Sequence, residues 1–455
     1  MTRPALLDAL GPAGPFRSRR RTPVTDVTGR TVAELCLVPP MFVGRAANAL
    51  RRAEPMTQDA VVSAISTAGK SFSTDAIGGI TAEEHALRVA RVSGLPIGVV
   101  RAATRNVAAA AANVYRDVQQ ARPVTAVTEW RDPLTRTGRA VWCRRGDVLG
   151  VLAAGNHPAV HTGWLQALAL GYRVALRPSQ REPFTPYRLV TALRGAGLGT
   201  DRLVLLPTDH DTAREILRNA DLGLVYGSAQ VVEAHARDSR VLPQGPGRSK
   251  VLLTAEVDWR EYVDVIVESV SSEAGTACTN ATAVLVEGDP GPLAEALADR
   301  LSKLPALPPE DEHAALPVQS MTRARALQAY VQGRSTGIPW LGVQDMLVDL
   351  GDGSAALRPL IHQLDAPDPG QLGAEMPFPC VWVAPWSRRD GIEPLRDTLV
   401  LTAITRDDDL VDDLVAEPTI RSIHLGPRPT HTSVPEMPHD GFLAEFLMRT
   451  KGVIR

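Results

Sequence analysis

One stretch decides the fold of this chain: Val148-Leu-Gly-Val-Leu-Ala-Ala154, followed at once by Gly155-Asn156-His157-Pro158. An unbroken apolar run of this length is typical of a parallel strand that is buried on both faces. The residues after it predict the start of a helix, because Asn or His can cap a helix and proline suits its first turn. A buried strand that leads directly into a helix indicates an alternating α/β sheet.

The alternation of strands and helices continues along the chain. Further strands are predicted at 173–176, 203–206, 222–226, 283–286, 380–383 and 420–425. Helices are predicted at 187–194, 212–219, from 229, and at 263–271, 292–304 and 410–415. A second α/β set therefore begins near residue 251, and the repetition predicts two doubly wound domains.

The residues before this core have a different pattern. Residues 1 to about 40 are rich in Pro and Arg and predict strand and loop, whereas apolar residues recur at helical spacing from 41 to 120. Residues 125–143 alternate apolar and polar side chains around Asp132-Pro133. This alternation predicts a β-hairpin.

Composition excludes several classes of protein. The 455 residues carry a net charge of −2 and no dense basic block, which argues against nucleic acid as a partner. The four cysteines are widely spread without a CxxC pair, as in a reduced cytosolic protein. No apolar opening segment or 18-residue apolar run is present, so we expect neither export nor membrane insertion. We expect a cytoplasmic enzyme.

Cys278 is the strongest candidate for chemistry. It lies in Glu273-Ala-Gly-Thr-Ala-Cys278-Thr-Asn280, between a predicted helix and a predicted strand. A thiol on a loop of small residues is exposed enough to attack a carbonyl group. The alternative is a small hydrophobic residue packed in the core, but its neighbours are too small to bury it.

Five motifs resemble those of the aldehyde dehydrogenase superfamily, and they occur in the family's order. They are Gly155-Asn156-His157-Pro158, similar to Trp-Asn-Phe-Pro; Arg177-Pro-Ser179-Gln180, similar to Lys-Pro-Ser-Glu; Gly227-Ser228, similar to Gly-Ser; Glu273 to Thr279, similar to Asn-x-Gly-Gln-x-Cys-Thr; and Glu375-Met-Pro-Phe378-Pro, similar to Glu-x-Phe-Gly-Pro. The resemblance covers roughly residues 125–450.

The resemblance implies an aldehyde-dehydrogenase-like α/β fold with a small β oligomerisation flap. It assigns 1–124 to a largely helical part of the cofactor domain, 125–145 to a hairpin of the flap and 146–249 to the nucleotide-binding domain. Residues 250–427 become the catalytic domain and 428–455 a C-terminal oligomerisation segment. A homodimer or homotetramer is expected.

The resemblance also assigns roles to side chains. Cys278 would form a thiohemiacetal or acyl-thioester, and Asn156 would stabilise the oxyanion together with the Cys278 backbone N–H. The alternative for Asn156 is a helix N-cap. The implied cofactor-binding residues are Arg177, Ser179, Gln180, Gly227, Ser228, Glu375 and Phe378.

One departure from the family pattern bears on the reaction. The family's Glu-Leu-Gly-Gly-Lys supplies the general base that activates water, but residues 242–249 contain no carboxylate. Glu273 is either a displaced base or a solvent-facing carboxylate at the end of a helix. An acyl-enzyme that water clears poorly suits exchange with another thiol, as in the acylating branch that includes the fatty-acyl reductase of bacterial bioluminescence.

The leading hypothesis is NADPH-dependent reduction of an acyl thioester, either acyl-CoA or an acyl-carrier protein, to an aldehyde. The alternatives are NAD(P)⁺-dependent oxidation of an aldehyde to an acid and a non-catalytic nucleotide-binding paralogue.

Arg177 and Gln180, with Arg181 adjacent, favour NADP(H) over NAD(H), because guanidinium groups bind phosphate and the family's carboxylate is missing. The alternative is that these arginines are solvated loop charges. No metal is expected, since His157 and His161 lack a third ligand.

Overall fold

Helices and strands alternate along most of the chain in the computed structural model, which describes residues 4–434 and 436–455. The α-helices are α1 Pro40–Arg51, α2 Gln58–Thr74, α3 Ala82–Ser93, α4 Ile97–Gln119, α5 Thr162–Ala169, α6 Phe184–Gly195, α7 His210–Asn219, α8 Ala229–His235, α9 Val263–Ser271, α10 Gly291–Leu301, α11 Met321–Gln332, α12 Pro369–Leu372, α13 Asp408–Ala416 and α14 Leu443–Leu447. The strands are β1 Ala5–Leu7, β2 Ala9–Gly11, β3 Gly14–Phe16, β4 Arg21–Thr25, β5 Thr31–Cys36, β6 Arg139–Arg144, β7 Val148–Leu152, β8 Arg173–Arg177, β9 Leu203–Leu205, β10 Leu222–Tyr226, β11 Val241–Gln244, β12 Ser249–Leu253, β13 Ala281–Glu287, β14 Val318–Ser320, β15 Ile338–Leu341, β16 Leu347–Asp349, β17 Ser354–Leu357, β18 Leu360–Gln363, β19 Cys380–Trp386, β20 Thr398–Ile404, β21 Ile420–Leu425 and β22 Met448–Val453.

The first large sheet is built around the apolar run that begins at Val148. Its strand order is β11-β10-β7-β8-β9-β2-β3, and the five strands from β11 to β9 are parallel. The chain leaves β7 for β8 on one side and reaches β10 on the other. The carboxyl end of β7 therefore lies where the strand order reverses, and a crevice for ligands forms at such a point.

The second large sheet carries the candidate nucleophile. Its order is β15-β18-β19-β13-β12-β20-β21, and every pair except β15 with β18 is parallel. The predicted helix 263–271 and the predicted strand 420–425 have the observed bounds of α9 and β21. The prediction of two doubly wound α/β domains is confirmed.

Helices cover both faces of each sheet and close the core. On the first sheet, α2, α5 and α6 bury Phe72, Trp164 and Leu189 in one cluster with the side chains of β7 and β8. Complete burial of each such side chain stabilises the fold by about 1.5–3 kcal/mol. None of the described helices is both long enough and apolar enough to cross a membrane.

The hairpin predicted over 125–143 is not formed. Asp132 accepts a hydrogen bond from the Leu134 N–H and starts a 3₁₀ helix at Pro133–Thr137 in place of a reverse turn. The strand after it, β6, instead pairs antiparallel with β22 from the C-terminal segment. A two-stranded ribbon of β6, which precedes the first large sheet, and β22, from the C-terminal segment, therefore occupies the place of the predicted hairpin.

Candidate active site

Cys278 lies on a turn that three left-handed residues force away from α9. The φ angles of Glu273, Ala274 and Gly275 are 50°, 59° and 66°. This conformation costs about 1–2 kcal/mol for each residue other than glycine. Asn280 holds the turn, because its Oδ1 accepts the Ala277 N–H at 2.9 Å and its Nδ2 donates to Ser272 O at 2.8 Å. The turn presents Cys278 half-buried just before β13.

The thiol contacts a histidine that the sequence analysis did not identify. Cys278 Sγ lies 3.4 Å from His439 Nε2. His439 belongs to the irregular segment between β21 and α14 and is 161 residues from the cysteine along the chain. Only the three-dimensional fold brings the two together, because no local motif surrounds His439.

The electrostatic surroundings keep the thiol protonated. Burial, together with repulsion of a thiolate by the carboxylates of Glu375, Glu273 and Asp440, raises the pKa of Cys278 to about 12. A nucleophilic thiol normally has a lowered pKa. At neutral pH the resting side chain is therefore the thiol, and its attack on a carbonyl carbon requires a proton acceptor.

Asn156 reaches the nucleophile turn from the other sheet. Its Nδ2 donates to Thr276 O at 3.4 Å. The N-cap of the following 3₁₀ helix is His157, whose Nδ1 accepts the Ala159 N–H at 3.2 Å. Asn156 is therefore not the N-cap of this helix, and that interpretation is wrong. Its amide is instead directed at the turn that carries the thiol.

Glu273 faces the site and contacts a buried histidine. Its Oε2 lies 3.7 Å from His157 Nε2, and about a third of its side chain is exposed. Burial lowers the pKa of His157, so this imidazole is neutral at neutral pH. The carboxylate of Glu273 is consequently directed between His157 and the thiol, and not simply into solvent.

The stretch where the family's general base would lie packs against the nucleophile through its backbone. A Cβ at Gly247 would meet Cys278 O at 1.8 Å, and Ser249 Oγ donates to the same carbonyl at 3.1 Å. From 241 to 254 the chain contains no carboxylate. Glu375 binds the same stretch, because its Oε2 accepts the Gly247 N–H at 2.7 Å and the Arg248 N–H at 3.3 Å. Burial raises the pKa of Glu375.

Several of the predicted cofactor-binding residues lie after strands of the first sheet, at its carboxyl edge. Arg177 Nη2 donates to Thr208 O at 3.5 Å and Gln180 Nε2 to the same carbonyl at 3.0 Å. Ser228 begins α8 without a side-chain capping bond, Ser179 Oγ accepts the Arg181 N–H, and the backbone of Gly155 contacts Ser179 closely. Glu375 and the buried Phe378 lie on the catalytic side, near the nucleophile turn.

This edge fits a dinucleotide. Among the described residues, the buried Arg177 Nε and Thr208 Oγ1 have no hydrogen-bond partner, and a ribose or phosphate group would provide one. Arg181 is different, because it donates to Ser93 O at 2.9 Å and to Gln319 Oε1 at 3.2 Å in a largely buried position. The interpretation of Arg181 as a solvated charge is therefore wrong, and its contribution to phosphate binding beside Arg177 stays a prediction.

The paired histidines of the sequence have structural partners. His161 Nδ1 accepts a hydrogen bond from Trp164 Nε1 at 3.0 Å. Within residues 4–434 and 436–455, no group of three or more His, Cys, Asp or Glu side chains is placed to hold a metal ion.

Comparison with known sequences points to one family. A sequence model described as the aldehyde dehydrogenase family matches residues 81–359. Malonate-semialdehyde dehydrogenase 2 of Bacillus mycoides is 30% identical over 155 residues, which cover 32% of this chain and 32% of that protein. Malonate-semialdehyde dehydrogenase 1 of Geobacillus thermodenitrificans is 28% identical over 163 residues, covering 34% and 33%. The chain thus spans about a third of the length of these relatives.

Solved structures share the whole fold. An NAD-dependent aldehyde dehydrogenase from Sinorhizobium meliloti has a TM-score of 0.82 at 19% identity, covering 99% of this chain and 94% of that one. An indole-3-acetaldehyde dehydrogenase in complex with NAD⁺ has a TM-score of 0.80 at 15% identity, covering 98% and 96%. The named relatives are aldehyde dehydrogenases, and they give no support to the resemblance to the bioluminescence reductase in particular.

Proposed function

This chain belongs to the aldehyde dehydrogenase family, and from that premise we propose that it oxidises an aldehyde with NAD(P)⁺ through a covalent adduct on Cys278. One observation carries the proposal: the amide of Asn156 and the imidazole of His439 converge from separate elements on the turn that holds the thiol. A nucleophile with an oxyanion donor and a titratable partner beside it is suited to attack on a carbonyl group. The relatives named for malonate semialdehyde favour oxidation as the direction.

Each residue of the site has its own role toward the substrate or the cofactor. Cys278 Sγ bonds to the carbonyl carbon, the carbonyl π electrons move to oxygen, and the Asn156 amide stabilises the resulting negative charge. The nicotinamide cofactor, when bound, supplies a hydride acceptor at this carbon. The strand ends that carry Arg177 and Ser228 would hold the cofactor, and Glu375 with Phe378 would position its nicotinamide half. At the end of these steps, the former aldehyde carbon is the acyl carbon of a thioester on Cys278.

The fate of the acyl-enzyme suggests a second function. No carboxylate occurs from 241 to 254, and Glu273 contacts His157, so no carboxylate is well placed to activate water beside Cys278. A general base contributes about 10²–10⁴-fold to such a hydrolysis. Transfer to an external thiol is therefore favoured, and the reverse sequence would reduce an acyl-CoA or acyl-carrier protein to an aldehyde.

The cofactor proposal is NADP(H) in preference to NAD(H). Arg177 stays at the carboxyl edge of β8, and Gln180 contributes no carboxylate that would repel a 2′-phosphate. Burial lowers the pKa of Arg177 and the nearby Asp209 acts in the opposite sense, but Arg20 pairs with Asp209 at 2.7 Å and offsets its charge.

One set of assays tests these proposals together. Purified protein is given aldehydes with NADP⁺ or NAD⁺, each with and without coenzyme A, and acyl-CoA esters with NADPH. We expect nicotinamide reduction with aldehydes, faster with coenzyme A, and no turnover by Cys278→Ala. Intact-mass spectrometry of the wild type should show an acyl adduct that the variant lacks. Free acid formed equally fast without a thiol would contradict thiol transfer, and nucleotide binding without any turnover would favour the non-catalytic paralogue.

A further inference from the structure

We propose that His439 is the general base that takes the proton of the Cys278 thiol, so that the two side chains act as a nucleophile–base pair. The proposal deepens the proposed function and rests on it only for the identity of the substrate. Its foundation is the 3.4 Å separation between Cys278 Sγ and His439 Nε2.

The segment that carries His439 is fastened to the catalytic domain on both sides of the histidine. Before it, Ser422 Oγ of β21 donates to Pro438 O at 3.1 Å. After it, Asp440 pairs with Arg421 of the same strand at 3.3 Å. Further upstream, the Thr430 N–H donates to Ser269 Oγ of α9 at 3.1 Å. These contacts hold the imidazole in place without using either of its ring nitrogens.

The thiol needs such a base because its own ionisation is suppressed. With the pKa of Cys278 raised to about 12, roughly one thiol in 10⁵ is ionised at pH 7. Glu375 and Glu273 face the sulfur with negative charge and oppose a free thiolate. Transfer of the proton as the S–C bond forms avoids that state.

The other titratable groups around the sulfur are less suited to this transfer. Glu375 accepts two backbone N–H groups, and Glu273 lies against His157. His157 Nδ1 is occupied by the Ala159 N–H, and the Tyr226 hydroxyl donates to Val160 O. His439 is the imidazole in direct contact with Sγ among the described residues.

The charge state of His439 fits the role. Burial lowers its pKa, so the ring is neutral and able to accept a proton at neutral pH. Asp440 and Glu273 act in the opposite sense and stabilise the imidazolium once it has formed. In the step itself the S–H bond breaks, its proton moves to Nε2, the S–C bond forms and the carbonyl electrons move to oxygen.

Alkylation by iodoacetamide tests the pair without any substrate. The rate at Cys278 is followed by peptide mass spectrometry across pH in a Cys143→Ser background, since Cys143 is also partly exposed. His439→Gln is compared with His431→Gln, a matched control on the same segment that pairs with Glu268 and not with the thiol. Thermal melting confirms that each variant is folded.

We expect the wild-type rate to be flat around neutral pH and to fall only on the acid side of the ordinary histidine range, as His439, whose pKa is lowered by burial, gains a proton. His439→Gln should react about 100-fold more slowly at pH 7.5 and accelerate tenfold per pH unit, as a thiol of high pKa does alone. His431→Gln should match the wild type.

Two results would contradict the proposal that His439 and Cys278 act as a nucleophile–base pair. One is a His439→Gln rate within threefold of the wild type with the same pH profile. The other is a wild-type rate that rises tenfold per unit throughout, which decides the question even if the variant fails to fold. Neither depends on turnover, so an enzyme with the pair intact and no aldehyde activity would contradict the proposed function alone.

Discussion

Asn156 shows how a single side chain can be tested for catalysis apart from stability. Because His157 caps the helix, Asn156→Ala should leave the melting temperature nearly unchanged. Loss of one oxyanion donor costs about 3 kcal/mol in the transition state, so kcat should fall 10²–10³-fold. Asn113→Ala, which removes an exposed asparagine on α4, serves as the control and should change neither quantity. If Asn156→Ala had a lowered melting temperature and a normal kcat, the role of Asn156 would be structural and not catalytic.

Arg177 decides the proposed preference for NADP(H). A charge-assisted hydrogen bond is worth about 1.5–3 kcal/mol, so Arg177→Ala should raise KM for NADP⁺ about 10- to 100-fold and KM for NAD⁺ much less. Arg181→Ala removes the contacts to Ser93 and Gln319 and should lower thermal stability without changing the ratio of the two KM values. An unchanged ratio in Arg177→Ala would show that the preference is wrong.

At the same scale, sequence could identify only residues that lie in motifs. Cys278 and Asn156 lie in short stretches that resemble motifs of the family, and the structure brings both to the same turn. His439 stands in Met437-Pro-His-Asp440, which has no distinguishing pattern. Its relation to Cys278 depends on tertiary contacts, such as those of Pro438 and Asp440 with β21, that no local pattern predicts. The contacts of Arg181 could not be predicted, because Ser93 and Gln319 are distant from it in sequence.

Among the elements, the nucleophile turn depends on a close approach between two backbones. A side chain at Gly247 would meet the Cys278 carbonyl oxygen at 1.8 Å, so Gly247→Ala must displace the turn. We expect a loss of about 1–3 kcal/mol in the free energy of unfolding and at least a tenfold slower alkylation of Cys278. Gly98→Ala on α4 has open space and should raise stability by about 0.5–1 kcal/mol. If the two variants had the same melting temperature and the same rate of Cys278 alkylation, the close approach at Gly247 would be contradicted.

Length alone did not decide which elements could be predicted, because the three-residue β9 is predicted and the seven-residue β20 is not. The strand at 222–226 and the helix at 263–271 have strong periodicity, so their observed bounds agree with the pattern. Strands β14 to β18, which have three or four residues each, as in Ser354-Ala-Ala-Leu357, also escaped prediction. The hairpin over 125–143 failed because strand pairing with β22 is not a local property of the sequence.

On the scale of the whole molecule, the C-terminal segment joins the regions that matter for function. It supplies His439 to the thiol, packs α14 against α5 in the first core, and ends as β22 beside β6. Activation of the thiol, stability of the first domain and completion of the flap are therefore linked through one stretch of chain. A change in how this segment docks would be expected to affect all three.

The flap carries an exposed apolar surface, and the resemblance to the family predicts that subunits associate through the flap. We define the flap patch as Trp130, Leu134 and Ile454, whose exposures are 51%, 49% and 77%. The side chain of Arg455 donates to Thr135 Oγ1 and Arg131 O, which fixes the end of β22 against the same loop. Exposed apolar patches and open strand edges mark surfaces of association.

If the flap patch joins subunits, Ile454→Asp should convert a homodimer or homotetramer into smaller species, because the interface would have to bury an unpaired charge. Val415→Asp is the matched control, since Val415 is 68% exposed on α13, outside the flap. Size-exclusion chromatography with light scattering measures the mass of each variant over a dilution series. A wild type that is monomeric throughout, or an Ile454→Asp protein with the wild-type mass, would exclude the flap patch as the interface. Because β22 follows the segment that holds His439, slower alkylation of Cys278 in the dissociated variant would further show that assembly supports the active site.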